Sequence, residues 1–237
     1  MFEKKLKNAA DKSSIELSDK QLEQFNCFYN EVIEWNKKFN LTAITEPDDF
    51  AIKHVIDSLV ICSDDVFVNA KTMIDVGTGA GFPGIPLKIF KPDIKVTLLD
   101  SLNKRIHFLN HVIEKLKLND IVCIHSRAED AAHNSTLREK FDIAVSRAVA
   151  KFNILAEYCM PFVKVNGTFI AFKGANIDTE INDANNAIKI LGGNNIEVVP
   201  QKLINNDLRN IIYTKKYTIT PDKFPRKAGI PEKKPLF

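Results

Sequence analysis

From residue 72 onward, short apolar runs rich in β-branched residues alternate with segments long enough to form helices. The runs are TMIDV (72–76), IKVTLLD (94–100), IVCIH (121–125), FDIAVS (141–146), TFIAFK (168–173) and IEVV (196–199). Such alternation is typical of a parallel sheet with both faces covered. A seventh run, near 210–219, follows after a link too short for a helical crossover, which predicts an antiparallel strand. We therefore expect an α/β fold: a seven-stranded, mostly parallel, Rossmann-like sheet with helices on both faces and an antiparallel last strand.

The residues before this region predict a helical extension at the N-terminus. Ser18 and Gln21 have the spacing of a capping box, and apolar residues then recur at helical spacing, which predicts a helix over 18–39. A second helix is predicted over 47–62, with Thr45 as its N-cap and a proline in its first turn. The intervening segment WNKKFNLTAIT is expected to be a loop.

The C-terminal segment is basic and contains several prolines. Four prolines follow Thr220, so this segment is expected to be irregular and free of helix. Residues 215–237 carry a net charge of +5, against +3 for the whole chain, which suggests either a polyanionic partner or a solvated terminus. The expected organisation is a helical extension over 1–70, a main domain over 71–220 and a basic tail over 221–237.

The composition excludes several classes of protein. A chain of 237 residues, of which 45% are apolar, can bury a core without disulfides or metals. The four cysteines are scattered without a CxxC pair, so neither a zinc site nor a disulfide framework is predicted. The N-terminal residues lack an apolar signal region, and no run of about 18 apolar residues occurs. We therefore expect a cytoplasmic protein whose partners include neither a membrane nor a metal.

The densest motif is DVGTGAGFPG, over 75–84, which lies between the first predicted strand and a predicted helix. Glycines in such a turn let backbone N–H groups approach a ligand, and the helix N-terminus adds a partial positive charge. Two cofactor classes are compatible with the loop. The segment GAGFPG matches the dinucleotide pattern GxGxxG, and the same loop can also hold S-adenosylmethionine.

Acidic residues near this loop favour S-adenosylmethionine. Asp75 precedes Gly77 by two residues, where a carboxylate faces a pyrophosphate poorly but suits the amino group of a methionine moiety. Asp100 ends the second predicted strand and can bind a ribose diol of either cofactor class. The segment SRAED, over 126–130, follows the third predicted strand and offers an acceptor for an adenine amine.

Several motifs together resemble one enzyme family. DVGTGAGFPG, LLDSLNKRIHFL, HSRAED and VSRAVA occur in the order and spacing of the class I methyltransferases. With WNKKFNLTAIT, HVIDSL, FKG and FPRKAGIPEKKPL, they resemble the bacterial ribosomal RNA small subunit methyltransferase G family, also called GidB. The resemblance runs from about Trp35 to Leu236. The glycine motif is specific only for the class, whereas WNKKFNLT and RKAGIP point to the family.

This resemblance implies an S-adenosylmethionine-dependent enzyme that methylates N7 of a guanine in 16S ribosomal RNA. The expected partner is therefore 16S ribosomal RNA or the small ribosomal subunit, and we expect the enzyme to be a monomer. By their positions in the shared motifs, five residues are implied to contact the cofactor: Gly77, Phe82, Ala128, Glu129 and Arg147. The residues themselves add four candidates for the cofactor site: Asp75, Gly79, Gly81 and Asp100.

Arg147 is the candidate catalytic residue. It directly follows the fourth predicted strand, and the carboxyl ends of parallel strands line the ligand crevice in such sheets. Its guanidinium can hold the cofactor carboxylate or an RNA phosphate, or orient the guanine at O6. The alternative is a surface ion pair with a helix acid. Because guanine N7 already carries a lone pair, the reaction calls for alignment rather than for a general base.

Four further residues are candidates for RNA binding: Lys173, Arg226, Lys227 and His54. Lys173 follows the fifth predicted strand at the same rim as Arg147, and two of the four lie in the basic tail. His54 shares a helix face with Asp57 and Ser58. That face is either a wall of the guanine pocket or a packing surface in which His54 bonds to Asp57.

Two alternative functions remain open from the residues alone. An NAD(P)-dependent oxidoreductase would use the GxGxxG match as its primary motif, but it leaves Asp75 and the SRAED segment unexplained. A non-catalytic RNA-binding protein with a vestigial methyltransferase fold is the second alternative, and the intact glycine loop argues against it.

Overall fold

The computed structural model describes residues 2–147 and 149–237, and its centre is a seven-stranded sheet. The strands are β1 (Thr72–Val76), β2 (Lys95–Asp100), β3 (Ile121–His125), β4 (Phe141–Arg147), β5 (Val163–Lys173), β6 (Gly193–Lys202) and β7 (Leu208–Lys216). Their spatial order is β3-β2-β1-β4-β5-β7-β6. β7 pairs antiparallel with both β5 and β6, and the other pairs are parallel. Six strands therefore run one way and the seventh runs against them, which confirms the predicted fold class.

Helices cover both faces of this sheet. They are α1 (Phe2–Lys12), α2 (Asp19–Asn36), α3 (Pro47–Phe50), α4 (Asp57–Leu59), α5 (Asp65–Asn69), α6 (Gly84–Phe90), α7 (Asn103–Lys115), α8 (Ala128–Ala131), α9 (Phe152–Cys159), α10 (Asp178–Ile190) and α11 (Ile230–Lys233). A π-helical stretch, Ala51–Ile56, joins α3 to α4 and makes the three one continuous helical segment.

The N-terminal helices follow the sequence prediction in part. The capping box of Ser18 and Gln21 is present at the start of α2. The second predicted helix is the composite segment from α3 to α4, but the prediction of Thr45 as its N-cap is wrong. Pro47 takes the first helical position, which makes Glu46 the cap residue, and Glu46 makes no side-chain cap bond.

The sequence analysis placed no helix at α1, α5 or α11. The prediction that the tail contains no helix is wrong. Pro231 lies in the first turn of α11, where the missing proline N–H has no helical partner to lose.

The sheet separates two hydrophobic cores because successive side chains of a strand point to opposite faces. In β1, Met73 belongs to the first core and Ile74 to the second. The first core also contains the buried apolar residues of α1, α2, α6 and α7. The second core contains those of α9 and α10, together with Phe224 of the tail. The N-terminal helices and the tail therefore pack on opposite faces of one sheet.

The topology places a crevice at the centre of the sheet. β1 and β4 are neighbours, and the chain order reverses between them. Ligands of open α/β sheets bind at the carboxyl ends of the strands at such a reversal. The strands that flank this point end at Val76, Asp100 and Arg147. Two of the predicted site residues thus lie at the same edge of the sheet.

Candidate active site

The loop after β1 is held in a conformation that requires glycine. Gly77, Gly79 and Gly81 all have positive φ, at 71°, 62° and 92°. Residues with a Cβ rarely adopt this left-handed region. A Cβ on Gly79 would meet no atom nearer than the Gly77 carbonyl oxygen at 4.0 Å, so this side of the loop is open. A Cβ on Gly81 would instead lie 2.6 Å from Ile85, so Gly81 faces the protein interior and shapes the loop from beneath.

Asp75 lies fully buried below this loop. Its Oδ2 atom accepts hydrogen bonds from Thr78 Oγ1 at 2.6 Å and from the Gly84 N–H at 2.8 Å. Its Oδ1 atom is buried with no hydrogen-bond partner among the described residues. Burial raises the pKa of the carboxyl to about 6. The structure thus shows Asp75 bracing the loop, and its contact with a cofactor amino group stays a prediction that would give the unpaired oxygen a donor.

Asp100, at the end of β2, ties the neighbouring strand to the same loop. Its Oδ2 atom accepts from the Gly79 N–H at 2.9 Å and from Arg105 Nη1 at 3.2 Å. Its Oδ1 atom accepts from the Leu102 N–H at 2.9 Å. A carboxylate offers about four acceptor positions, so Asp100 keeps capacity for a ligand hydroxyl.

Two adjoining pockets extend along the carboxyl edge of the sheet, with volumes of about 420 Å³ and 130 Å³. The residues that line both are Gly77, Asp100, Ser101 and Val149. The larger pocket continues toward the N-terminal helical segment, and the smaller continues toward α8 and the tail. We refer to the two as the large pocket and the small pocket; together they form one elongated crevice.

His54, Phe82 and Arg147 form the far wall of the large pocket. The His54 and Phe82 rings are stacked, with centroids 4.3 Å apart and planes 12° apart. The Arg147 guanidinium lies over the Phe82 ring, 5.0 Å from its centroid. Phe82 thus lines the large pocket, and its contact with the cofactor stays a prediction.

The hydrogen bonds of His54 define its tautomer. Arg147 Nη2 lies 3.1 Å from His54 Nδ1, and because a guanidinium only donates, Nδ1 is the acceptor. The proton is therefore on Nε2, which lies 2.8 Å from Thr42 Oγ1. Burial and the Arg147 charge lower the pKa of His54 to about 3. His54 is thus neutral, and it bonds Arg147 rather than Asp57.

Asp57 lies between two arginines. Its Oδ2 atom accepts from Arg147 Nη1 at 3.0 Å, and its Oδ1 atom accepts from Arg209 Nε at 3.1 Å. Arg147 therefore makes an ion pair with a helix acid, but the pair is buried rather than exposed at the surface. Arg209 Nη2 also lies 3.4 Å from Asp207 Oδ2, so two guanidiniums and two carboxylates meet near this end of the crevice, and the guanidiniums are the groups there that can bind an anion. The sequence analysis did not single out Arg209; the scarcity of arginine in this lysine-rich chain was the available signal.

At the other end of the crevice, Ala128 and Glu129 line the small pocket at the start of α8. Glu129 is buried, and its Oε1 atom accepts from the Gly229 N–H at 3.0 Å. The small pocket is also lined by Tyr158 of α9 and Glu232 of α11. The tail therefore reaches the end of the crevice where the sequence places an adenine site.

Two of the candidate RNA-binding residues are instead engaged within the chain. Lys173 Nζ pairs with Glu180 at 2.7 Å and donates to the Ala150 carbonyl at 2.6 Å, which fastens the loop after Arg147. Arg226 makes a two-pronged ion pair with buried Glu157. Their charges are neutralised by these partners, so the structure does not present either as a free RNA contact.

Lys227 is the candidate that faces solvent. It is exposed and makes no ion pair with any of the described residues. Across residues 2–147 and 149–237, no cluster of three or more metal-ligating side chains occurs. Within that same part of the chain, no helix has the length and apolar character needed to cross a membrane.

A mostly parallel sheet in this strand order, a left-handed glycine loop at its reversal and an acid ending the next strand together define an S-adenosylmethionine-dependent methyltransferase. The model of one family, described as rRNA small subunit methyltransferase G, matches residues 21–209. The chain belongs to this family. This membership favours neither the NAD(P)-dependent oxidoreductase nor the non-catalytic RNA-binding protein.

Curated relatives agree over almost the full chain. One from Clostridium botulinum (strain Alaska E43 / Type E3) is 52% identical over 229 residues, covering 96% of this chain and 96% of the relative. One from Desulforamulus reducens is 50% identical over 232 residues, covering 98% of this chain and 97% of the relative. Both are named Ribosomal RNA small subunit methyltransferase G.

Solved structures share the fold at low sequence identity. An O-methyltransferase from Bacillus cereus in complex with SAH has a TM-score of 0.60 at 16% identity, covering 91% of this chain and 100% of that one. M. jannaschii TYW2 in complex with AdoMet has a TM-score of 0.52 at 19% identity, covering 65% and 73%. At these identities the likeness concerns the fold.

Proposed function

We propose that this protein transfers the methyl group of S-adenosylmethionine to N7 of a guanine in 16S ribosomal RNA, as free RNA or within the small ribosomal subunit. One observation supports the site most strongly. The half-buried Arg147, with the stacked His54 and Phe82 rings, stands at one end of a crevice whose other end offers nucleoside acceptors. This arrangement suits a cofactor with an anionic end and a nucleoside end.

The residues along the crevice fit this cofactor. S-adenosylmethionine, when bound, supplies a methyl group made electrophilic by its sulfonium. The adenosine end would be held by Ala128 and Glu129, and Asp100 would accept from the ribose hydroxyls. The open side of the glycine loop at Gly79 would admit the cofactor, and Arg147 would hold its carboxylate.

The hydrogen bonding of His54 supports a reaction without a general base. Nδ1 accepts from Arg147, and Nε2 carries the proton that faces Thr42, so neither nitrogen is free to remove a proton. A guanine N7 lone pair needs no such removal. The chain's own contribution is then to align the guanine, exclude water and hold the cofactor. The stacked His54 and Phe82 rings line the large pocket, and a guanine could be oriented against them.

The test is transfer of labelled methyl to 16S RNA and to small ribosomal subunits, followed by nucleoside analysis. The proposal expects label in 7-methylguanosine, with one of the two substrates preferred. Label in another nucleoside, or none in either substrate, would contradict it. Binding calorimetry with NADH in place of S-adenosylmethionine tests the oxidoreductase alternative.

We further propose that the enzyme is a cytoplasmic monomer. Light scattering of the purified protein tests the oligomeric state.

A further inference from the structure

The tail is fastened to the protein at several points, and one of them is a two-pronged ion pair between Arg226 and Glu157. Arg226 Nε lies 2.9 Å from Glu157 Oε1, and Arg226 Nη2 lies 2.6 Å from Glu157 Oε2. The Arg226 backbone N–H also donates to Glu157 Oε1 at 2.8 Å. Glu157 is fully buried, so this two-pronged bond is well shielded from solvent. The next residue of α9 is Tyr158, which lines the small pocket.

A second bond brings the following residues over the pocket. Gly229 has a φ of 78° and donates its N–H to Glu129 Oε1 at 3.0 Å. A Cβ at Gly229 would meet nothing within 4 Å, so the position needs glycine for its backbone conformation and not for space. The chain then turns into α11, whose Glu232 lines the small pocket and lies 3.4 Å from the Tyr158 hydroxyl.

We infer that residues 226–232 form a wall of the adenosine end of the cofactor pocket, latched by the Arg226–Glu157 ion pair, with the Glu232 carboxylate as an acceptor for the adenine amine. This inference rests on the proposed function, because it takes the crevice to be a site for S-adenosylmethionine. It assigns Arg226 a positioning role within the protein instead of a role on RNA. It also makes Glu129 a residue that holds the wall through Gly229.

The cofactor affinity depends on the fraction of molecules in which residues 226–232 close the small pocket. If the latch is lost, the closed arrangement forms in only a fraction of molecules, and the apparent Kd rises by the inverse of that fraction. A wall closed in about one molecule in ten gives about a tenfold weaker Kd. The affinity for RNA would not fall in the same way, because the charges of Arg226 and Glu157 neutralise each other.

The decisive variant is Glu232→Ala, because Glu232 is exposed and its removal leaves the core intact. Calorimetry with S-adenosylhomocysteine is expected to show a Kd about tenfold higher than that of the parent, the size of a charge-assisted hydrogen bond. Asp222→Ala is the matched control, since Asp222 is another exposed acid of the tail and does not line the pocket. Equal Kd values for Glu232→Ala and the parent would overturn the assignment of Glu232.

Arg226→Ala tests the latch, with Asp222→Ala again as the control. Arg226→Ala is expected to raise the KM for S-adenosylmethionine about tenfold with little change in kcat, and Asp222→Ala to leave both unchanged. Arg226→Ala leaves buried Glu157 without its charged partner and with only the backbone N–H of residue 226, so the melting temperature of the variant is measured alongside. An unchanged KM in folded Arg226→Ala overturns the latch. Failure of the parent protein itself to bind S-adenosylhomocysteine would instead reject the proposed function.

Discussion

Arg147 connects three parts of the molecule at the large pocket. From the end of β4 it donates to the Lys53 carbonyl at 3.2 Å and to Asp57 at 3.0 Å, and it packs over the Phe82 ring. Its remaining Nη2 contact is His54. Nη1 donates to two of these acceptors and Nη2 to the third, in fixed directions within one plane, which a lysine ammonium cannot reproduce.

Arg147→Ala is expected to lower methyl transfer by about 100-fold or more, the size of effect seen when a preorganised charged donor is removed. The fold should persist because Asp57 keeps Arg209 as its partner. Arg147→Lys should not restore activity, since one ammonium cannot meet both Asp57 and His54. Steady-state kinetics and thermal melting on both variants check this. Full activity in Arg147→Lys would show that the reaction needs only a positive charge at this position and not the guanidinium geometry.

Gly79 and Gly84 provide a matched pair in the glycine loop. Gly79→Val places a β-branched residue at a φ of 62° on the open side of the loop, so it should abolish binding of S-adenosylhomocysteine. Gly84→Ala places a methyl group 2.7 Å from Asp75 Oδ2, so it should mainly lower the melting temperature, by several degrees. Calorimetry and melting on both variants separate the two roles. Binding by Gly79→Val like that of the parent would show that the loop does not hold the cofactor.

Among the elements, the helical segment from α3 to α4 carries His54 and Asp57 against the sheet. The unfolded pKa of histidine is about 6.5, and the folded pKa of His54 is about 3. Between these values the unfolded chain binds more protons, so this group's contribution to stability is present above about pH 6.5 and is lost as the pH falls toward 3. Asp75 acts in the opposite sense, because its folded pKa is raised to about 6.

We expect His54→Gln to flatten the decrease in the free energy of unfolding between pH 6.5 and pH 4 by on the order of 1–3 kcal/mol. The Asp75 contribution is common to parent and variant and cancels in their difference. Denaturant titrations at several pH values measure the effect, and His107→Gln, an exposed histidine of α7, is the control. Parallel pH curves for the parent and His54→Gln would mean that His54 is not held neutral by the fold.

The elements show which parts of the fold the sequence can predict. β1 has the predicted bounds because an apolar β-branched run ends at the glycine motif. α1 has a local signal that the sequence analysis did not use, because its buried residues Phe2, Leu6, Ala9 and Ala10 recur at helical spacing. α11 has only four residues and begins with a proline-containing turn, so it has no local pattern long enough to indicate a helix.

Some residues of the candidate site can likewise be predicted from local sequence, and others cannot. The glycine loop, Asp100 and Glu129 lie in contiguous motifs, so local sequence indicates them. The bond between Asp57 and Arg209 joins residues 152 positions apart, and no local pattern predicts such a pairing. The engagement of Arg226 by Glu157, 69 positions away, is likewise a property of the fold, and it changes the interpretation of the basic tail.

The positive charges of the tail are of two kinds: Lys227 is exposed to solvent, whereas Arg226 is paired with Glu157. Lys227→Ala is expected to lower the slope of log K against log salt for RNA binding by about 0.7–0.9, the value for one phosphate contact. Arg226→Ala should leave the slope unchanged, because its charge is neutralised by Glu157. Filter binding at several salt concentrations measures both. A reduced slope for Arg226→Ala, with the slope of Lys227→Ala unchanged, would reverse these assignments.

We propose that the crevice aligns guanine N7 with the cofactor methyl group and removes no proton. The single-turnover rate of methyl transfer to 16S RNA is measured from pH 7 to pH 9, with the cofactor saturating and the product nucleoside identified at each pH. We expect a rate independent of pH and 7-methylguanosine as the product throughout, because no group of the site must gain or lose a proton for the step. A rate that rises with pH, or a methylated nucleoside other than 7-methylguanosine, would contradict it.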